Sequence, residues 1–331
     1  MPPGKGWFVL LAVAGGFGVL EVGARLLVRA PVEPKGDLRE LVAYDAHRGW
    51  ALRPNARGYT GEKPVQINAA GFRDREFSLA PEPGVARVAC IGDAATYGWG
   101  VTLEESFPKQ LERELRVRDR FEVLNFGMGG QDARQARYTL VDLAAPYEPR
   151  VVIYGMSWDD LVPTDLEHVS SRWLEARLAP PRRSFFHEVV HASRALSFVL
   201  DDRDRGTAPE PCLKAIVMAR DSRIANLWDG EKNEIAAMRD AARAIGADLA
   251  VLVWPVKARV TGEALCCRFE ENATAMAHDL GVPVFTALPA FEIVRARGDD
   301  PYLPHDDHPS PAGYRETAHV MAAAIASSVA R

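Results

Sequence analysis

Five apolar runs, Val85–Ile91, Val123–Phe126, Val151–Tyr154, Leu249–Trp254 and Val282–Phe285, alternate with segments of helical period, and this alternation constrains the fold more than any other feature. The helical segments are Glu104–Leu115, Gln131–Leu143, Lys232–Ile245, Gly262–Leu280 and Pro311–Val329. Continuous apolar strands separated by helices predict a parallel sheet covered on both faces, a three-layer α/β/α sandwich. The interval between the third and fourth runs, about residues 161–229, holds Pro180-Pro181 and the polar stretch Asp201–Arg205 and reads as a partly helical insert. Residues 31–84 form a turn-rich lead-in with strand-like pieces at Trp50-Ala51-Leu52 and Val65-Gln66-Ile67, followed by the main domain over 85–331.

Composition removes several classes. The 331 residues carry 45 Asp+Glu against 40 Lys+Arg, a net charge of −5 with no basic block, so no footprint for nucleic acid is present. An apolar fraction of 47 % is too high for intrinsic disorder, and four cysteines do not make a disulfide scaffold in a chain this long. Cys90 falls in a predicted core strand, while Cys212 has Cys266 or Cys267 as potential partners in an oxidising compartment.

The N-terminus addresses compartment. Gly6–Leu20 is uncharged and mostly apolar, and Glu21 and Arg25 follow at a spacing that lets them pair on a helix. Residues 1–30 therefore read as an uncleaved signal anchor, with a signal peptide cleaved near Ala24 as the alternative. Either reading expects the main domain to be exported, on the periplasmic or extracellular side.

In a parallel sheet the functional residues belong on loops at the carboxyl ends of the strands. The first strand ends in Ile91-Gly92-Asp93-Ala94-Ala95-Thr96-Tyr97-Gly98-Trp99-Gly100-Val101, whose glycines permit a tight turn but match no phosphate-loop pattern. The second ends in Asn125-Phe126-Gly127-Met128-Gly129-Gly130, where a backbone N–H unshielded by a Cβ can face a ligand. The third ends in Ser157-Trp158-Asp159-Asp160, two carboxylates that serve either as a helix cap or as site residues. Near the C-terminus, His305-Asp306-Asp307-His308-Pro309-Ser310-Pro311 places an aspartate two residues from a histidine, ahead of a helix capped by Ser310. A carboxylate so placed orients an imidazole and sets its tautomer, as a general base requires. The insert also contains His187-Glu188-Val189-Val190-His191, an H-E-x-x-H match read as a solvated helix face, with a zinc protease as the distant alternative.

These four loops resemble the SGNH/GDSL hydrolase family. The first resembles its GDSxTxGxGV block through Gly92, Asp93, Thr96, Gly98, Gly100 and Val101, and the second its N-x-G-x-x-G block through Asn125, Gly127 and Gly130. The last resembles its D-x-H-P block through Asp306, His308, Pro309 and Gly313. The lead-in pieces Gly49-Trp50, Pro54-Asn55 and Ile67–Arg73 resemble membrane-anchored members. The resemblance implies a five-stranded flavodoxin-like sheet, acyl ester chemistry on glycans or lipids, and no cofactor or metal. It implies His308 as base, Asp306 as its orienter, Gly127 as an oxyanion donor and Asp93, Thr96 and Gly98 as the supporting loop. Two positions depart: the nucleophile position is Ala94, whose N–H remains an oxyanion donor, and the oxyanion asparagine position is Asp159. The expectation is an ester- or glycan-binding pseudoenzyme; the alternative is an active esterase or O-acyltransferase with an unorthodox nucleophile, for which Thr96 is the candidate.

Overall fold

The computed structural model describes residues 4–27, 37–179, 193, 222–262, 268–304 and 306–329. The chain divides into two units, residues 1–33 with 180–210 and residues 34–179 with 211–331. In the first, α1 (Gly4–Leu27) is a continuous helix, and Arg25 Nε donates to Glu21 Oε1 at 2.7 Å, the pairing expected from their spacing. The expected membrane anchor gains no support. Among the described residues no helix is long and apolar enough to cross a membrane. The uncharged run stops at Glu21, short of the roughly 20 apolar residues a span requires. His187, His191, Cys212, Cys266 and Cys267 lie outside the described residues, and among the described ones no three His, Cys, Asp or Glu side chains could hold a metal ion.

The second unit opens with α2 (Leu38–Leu41) and two antiparallel hairpins, β1 (Val42–Asp45) with β2 (Gly49–Leu52), and β3 (Arg57–Thr60) with β4 (Lys63–Gln66). The main sheet comprises β5 (Ala86–Gly92), β6 (Phe121–Asn125), β7 (Val151–Met156), β8 (Asp248–Val253) and β9 (Val284–Thr286). Its five strands run in the order β6-β5-β7-β8-β9, all parallel, the doubly wound arrangement expected. Because successive side chains alternate across the pleat, each strand feeds two cores. Ala89 and Ile91 face one layer, formed by α5 (Ala133–Thr139), α7 (Ser222–Ala244) and α9 (Phe269–Asp279), numbered after α3 (Ala94–Tyr97), α4 (Phe107–Arg116), α6 (Ser171–Leu178) and α8 (Lys257–Thr261). Val88 and Cys90 face the other layer, formed by α4, α10 (Leu288–Ala296) and α11 (Pro311–Val329). Burial pushes the free Cys90 thiol far above its ordinary value, so it packs as a small apolar residue.

The structure refines three expectations. The helix expected from Gly262 starts at Phe269 as α9, while Gly262, at a left-handed φ of +84°, closes the separate helix α8. The helix expected from Glu104 begins at Phe107, after a short 3-10 turn at Leu103–Glu105 closed by Thr102 and Glu105. Helix α10, opened by Pro289 in its first turn, lies where no helix was expected.

Order 2-1-3-4-5 puts the switch point beside β5, between β6 and β7. The loops leaving the carboxyl ends of these three strands meet there.

Candidate active site

The first loop is held in place from below. Gly92 has φ +141°, and a Cβ there would lie 2.6 Å from Gly155 O, so only glycine turns the chain off β5 at this point. The Asp93 carboxylate caps α3 by accepting the Ala95 N–H at 2.9 Å, and Gly98 closes that helix in the left-handed region, φ +87°. Arg73, buried without a carboxylate partner, donates to the carbonyls of Tyr97, Gly98 and Val101, where the C-terminal end of α3 concentrates negative potential. Thr96 is only 1 % exposed, and its hydroxyl turns toward the sheet, 3.5 Å from Ile91 O. A Cβ on Gly155 would come within 2.3 Å of that hydroxyl. Thr96 packs the elbow against β7, an arrangement that leaves it unsuited to attack a substrate.

The second loop corrects the oxyanion assignment. The Gly127 N–H is already donated to Asn125 Oδ1 at 3.0 Å, and a Cβ at residue 127 would lie 2.3 Å from Tyr97 N. Gly127 is therefore a packing glycine that lets the second loop lie against the elbow. The donors facing the cavity are further along. A Cβ on Gly129 would reach 3.9 Å from Ala94 Cβ, and Gly130, at φ +74°, lines the same cavity. Neither the Gly130 nor the Ala94 N–H has a hydrogen-bond partner among the described residues. Trp50 fixes this loop from the lead-in, its indole N–H donating to Gly129 O at 3.1 Å. Gly130 stood in the sequence motif beside Gly127; only the engagement of the Gly127 N–H separates them.

The third loop divides its two carboxylates. Asp160 is buried and accepts the Ser157 N–H at 2.7 Å, making it the cap. Asp159 instead lines the cavity together with Ala94 and His308.

The fourth loop is clamped at its base. Leu303 N–H donates to His308 O at 2.9 Å, Ser310 Oγ to Asp300 O at 2.6 Å, and Gly313 N–H to Ser310 Oγ at 3.2 Å, as expected for a Ser310 cap. Tyr314 OH donates to Ala95 O at 2.8 Å, tying α11 directly to α3. Within the loop, Asp306 Oδ1 lies 2.5 Å from His308 Nδ1 and accepts the His308 backbone N–H at 2.9 Å. The carboxylate partner places the proton on Nδ1 and leaves Nε2 as the basic nitrogen. Trp99 flanks the imidazole, ring centroids 5.8 Å apart.

The electrostatics follow from burial around these groups. Burial opposes charge on His308, yet the Asp306 hydrogen bond and charge, with Asp93 and Asp159 behind, raise its pKa above the ordinary value. Burial likewise works against Asp306, but the His308 contact holds its carboxyl below the usual range. Asp159 is raised by burial, opposed by its own backbone N–H and by His308. Asp93 is pushed up to about 7 by burial and by Asp159. Beneath them Asp160 is raised well above its usual value, first by burial and then by Asp93 and Asp159, while burial raises Glu231, which accepts from Tyr154 OH at 3.0 Å, to about 8. The floor is a column of buried acids that share few protons.

Ala94, Asp159 and His308 thus converge on one cavity of about 580 Å³. Its remaining wall includes α2, Trp50 and Leu52 of the lead-in hairpin, and α6, none of which was expected to line the site. The arrangement supplies an oriented imidazole and two free N–H donors, which suits acyl transfer, but no hydroxyl at residue 94 and a carboxylate where a donor amide would serve.

Comparison with known proteins accords with this geometry. The model of the GDSL-like Lipase/Acylhydrolase family matches residues 90–316. The chain is similar in structure to a putative lipolytic G-D-S-L protein from Desulfitobacterium hafniense, at 15 % identity and TM-score 0.42 over 73 % of this chain and 99 % of that one. It is also similar to the psychrotrophic esterase EstA from a Pseudoalteromonas species (14 %, TM-score 0.42, covering 72 % and 96 %) and to the acetyl xylan esterase AlAXEase (14 %, TM-score 0.44, covering 72 % and 99 %). No curated protein matches it. With more than half of its length under the family model and the four loops at the carboxyl ends of a doubly wound sheet, the chain belongs to the GDSL-like lipase/acylhydrolase family.

Proposed function

We propose that this protein binds acyl esters of glycans or lipids in the cavity above Ala94 and turns them over poorly, as a pseudoenzyme on an acylhydrolase scaffold. One observation carries the reading: an intact Asp306–His308 dyad, 2.5 Å apart, shares a cavity with an alanine at the nucleophile position. The ester carbonyl would accept from the Ala94 and Gly130 N–H groups, with His308 Nε2 facing the site the attacking oxygen would occupy. Loss of the serine from such a triad costs about six orders of magnitude in rate while oxyanion and binding effects survive. The names of structural neighbours, an acetyl xylan esterase among them, accord with ester ligands. An exported location is part of the proposal and rests on the uncharged run Gly6–Leu20.

The test is hydrolysis of p-nitrophenyl esters by the purified protein, beside Ala94→Ser and His308→Ala. Background rates for the native chain, a gain in Ala94→Ser and unchanged ester binding in all three are expected. Native turnover that disappears in His308→Ala would overturn the pseudoenzyme reading.

A further inference from the structure

The distal part of the cavity has a chemistry of its own. Leu41, Trp50, Leu52, Trp173, Leu174 and Leu178 give the cavity an extensive apolar lining. Leu41, Trp50 and Leu174 are buried, and Trp50 stacks on Trp173 with ring centroids 6.2 Å apart. None of these residues belongs to the sheet or to the four loops. They come from the lead-in and from α6, whose Ser170 accepts the Trp173 N–H at 3.2 Å and so fixes the first turn of that helix.

Size and polarity narrow what such a wall accepts. At ~30 Å³ per water-sized group, 580 Å³ has room for roughly nineteen of them, far more than an acetyl fills. A sugar ring in the same space would bring several hydroxyls against aliphatic side chains, and each unpartnered hydroxyl loses its water without return. Besides Asp159 and His308 at the carbonyl end, the polar side chains lining the cavity are Thr60, Tyr97, Thr164, Asp165 and Arg177, outnumbered by the apolar ones. An unbranched hydrocarbon chain meets neither objection, and every methylene it adds leaves water.

We propose that this cavity seats a medium- to long-chain acyl group, and that the lead-in and α6 set its length. The inference rests on the reading that an ester carbonyl lies above Ala94, from which the acyl chain extends along the Trp50 and Leu174 wall. Trp173, 38 % exposed on α6, would be covered by the chain.

The experiment titrates the purified protein with methyl acetate, methyl butanoate, methyl octanoate and methyl dodecanoate, each below its solubility limit, followed by tryptophan fluorescence and calorimetry. 1-Octanol serves as a chain of similar length without the ester. Affinity should rise two- to fourfold per methylene, making the octanoate at least about sixtyfold tighter than the acetate. Leu178→Trp, at a half-buried position, should weaken dodecanoate tenfold or more and leave acetate unchanged; Trp173→Ala, with folding checked by its urea transition, should flatten the series. Octanol binding as tightly as methyl octanoate would uphold the chain pocket and remove the ester reading. Equal affinity across the four esters, or a maximum at acetate, would overturn the inference while leaving ester binding intact.

Discussion

Restoring the nucleophile alone should restore little. In Ala94→Ser the new hydroxyl enters a cavity that already holds the Asp306–His308 pair at 2.5 Å, so the base is in place. The obstacle is Asp159 in the same cavity. Ionised, it faces the developing oxyanion with a like charge, a repulsion of about 4 kcal/mol at 4 Å and an effective dielectric of 20. At about 1.4 kcal/mol per decade that is roughly three orders of magnitude, the same scale as losing one oxyanion donor. Asp159 and His308 both have raised pKa values, the first by burial and the second, against burial, through Asp306. The base works only when neutral, above its raised pKa. Ala94→Ser/Asp159→Asn should therefore exceed Ala94→Ser by about a hundredfold to a thousandfold in kcat/KM for p-nitrophenyl esters. Removing the Asp159 charge also removes one of the contributions raising His308, so the rise of activity with pH should move to lower pH in the double variant. Both variants should show a burst from the acyl-enzyme. If Ala94→Ser alone matches the double variant, Asp159 does not face the oxyanion and the reasoning about the third loop is wrong.

Other perturbations test the scaffold. Gly127→Ala should cost about 3 kcal/mol or more, because the added Cβ meets backbone at Tyr97 N within 2.3 Å; a thermal or urea transition like that of the native chain would show that the second loop is free to shift. Arg73→Met should lose about 3 kcal/mol by stranding the carbonyls of Tyr97, Gly98 and Val101, and a gain in stability would mean that burying the guanidinium costs more than those bonds return. Glu231 is pushed up to about 8 from an ordinary 4.5, so the folded state holds its proton more tightly than the unfolded state. Stability should be full below about pH 4.5 and fall by a few kcal/mol as pH rises toward 8. Asp93 and His308, also raised, add the same sign. Urea titrations at about pH 5 and about pH 8 should show a smaller difference in Glu231→Gln, and an unchanged difference would place the linkage elsewhere.

The sheet was legible because its signal is dense. Val88, Cys90, Val123 and Ile153 fill one core, and Ala89, Ile91, Leu124 and Val152 the other, so strands buried on both faces read as unbroken apolar runs. The dyad was legible because Asp306 and His308 are neighbours in sequence and Ser310 announces the helix that fixes them. Gly127 misled because a glycine that lets backbones approach and a glycine that frees an N–H look alike in a motif. The distinction rests on Asn125, whose side chain takes the Gly127 N–H, and on Tyr97 beneath. The cavity wall was illegible for another reason. Leu41, Trp50 and Leu174 lie far apart in the chain and meet only after the lead-in hairpins and α6 fold over the loops. No local period records such a meeting.

The contacts that hold the cradle in place make no use of the side chain of residue 94. The elbow is held by Gly92, Arg73, Tyr314 and the Asp93 cap, and none of these contacts uses a side chain of residue 94. The dyad is held by the loop it sits in and by Lys257, whose ammonium donates to Asp306 O at 2.7 Å. Asp160 closes the third loop onto Ser157 without help from its neighbour Asp159. The local stability thus resides in residues surrounding the cavity floor rather than in residue 94 itself. A scaffold built this way presents an oriented imidazole and two N–H groups whatever side chain stands at residue 94, a set suited to the polar end of an ester.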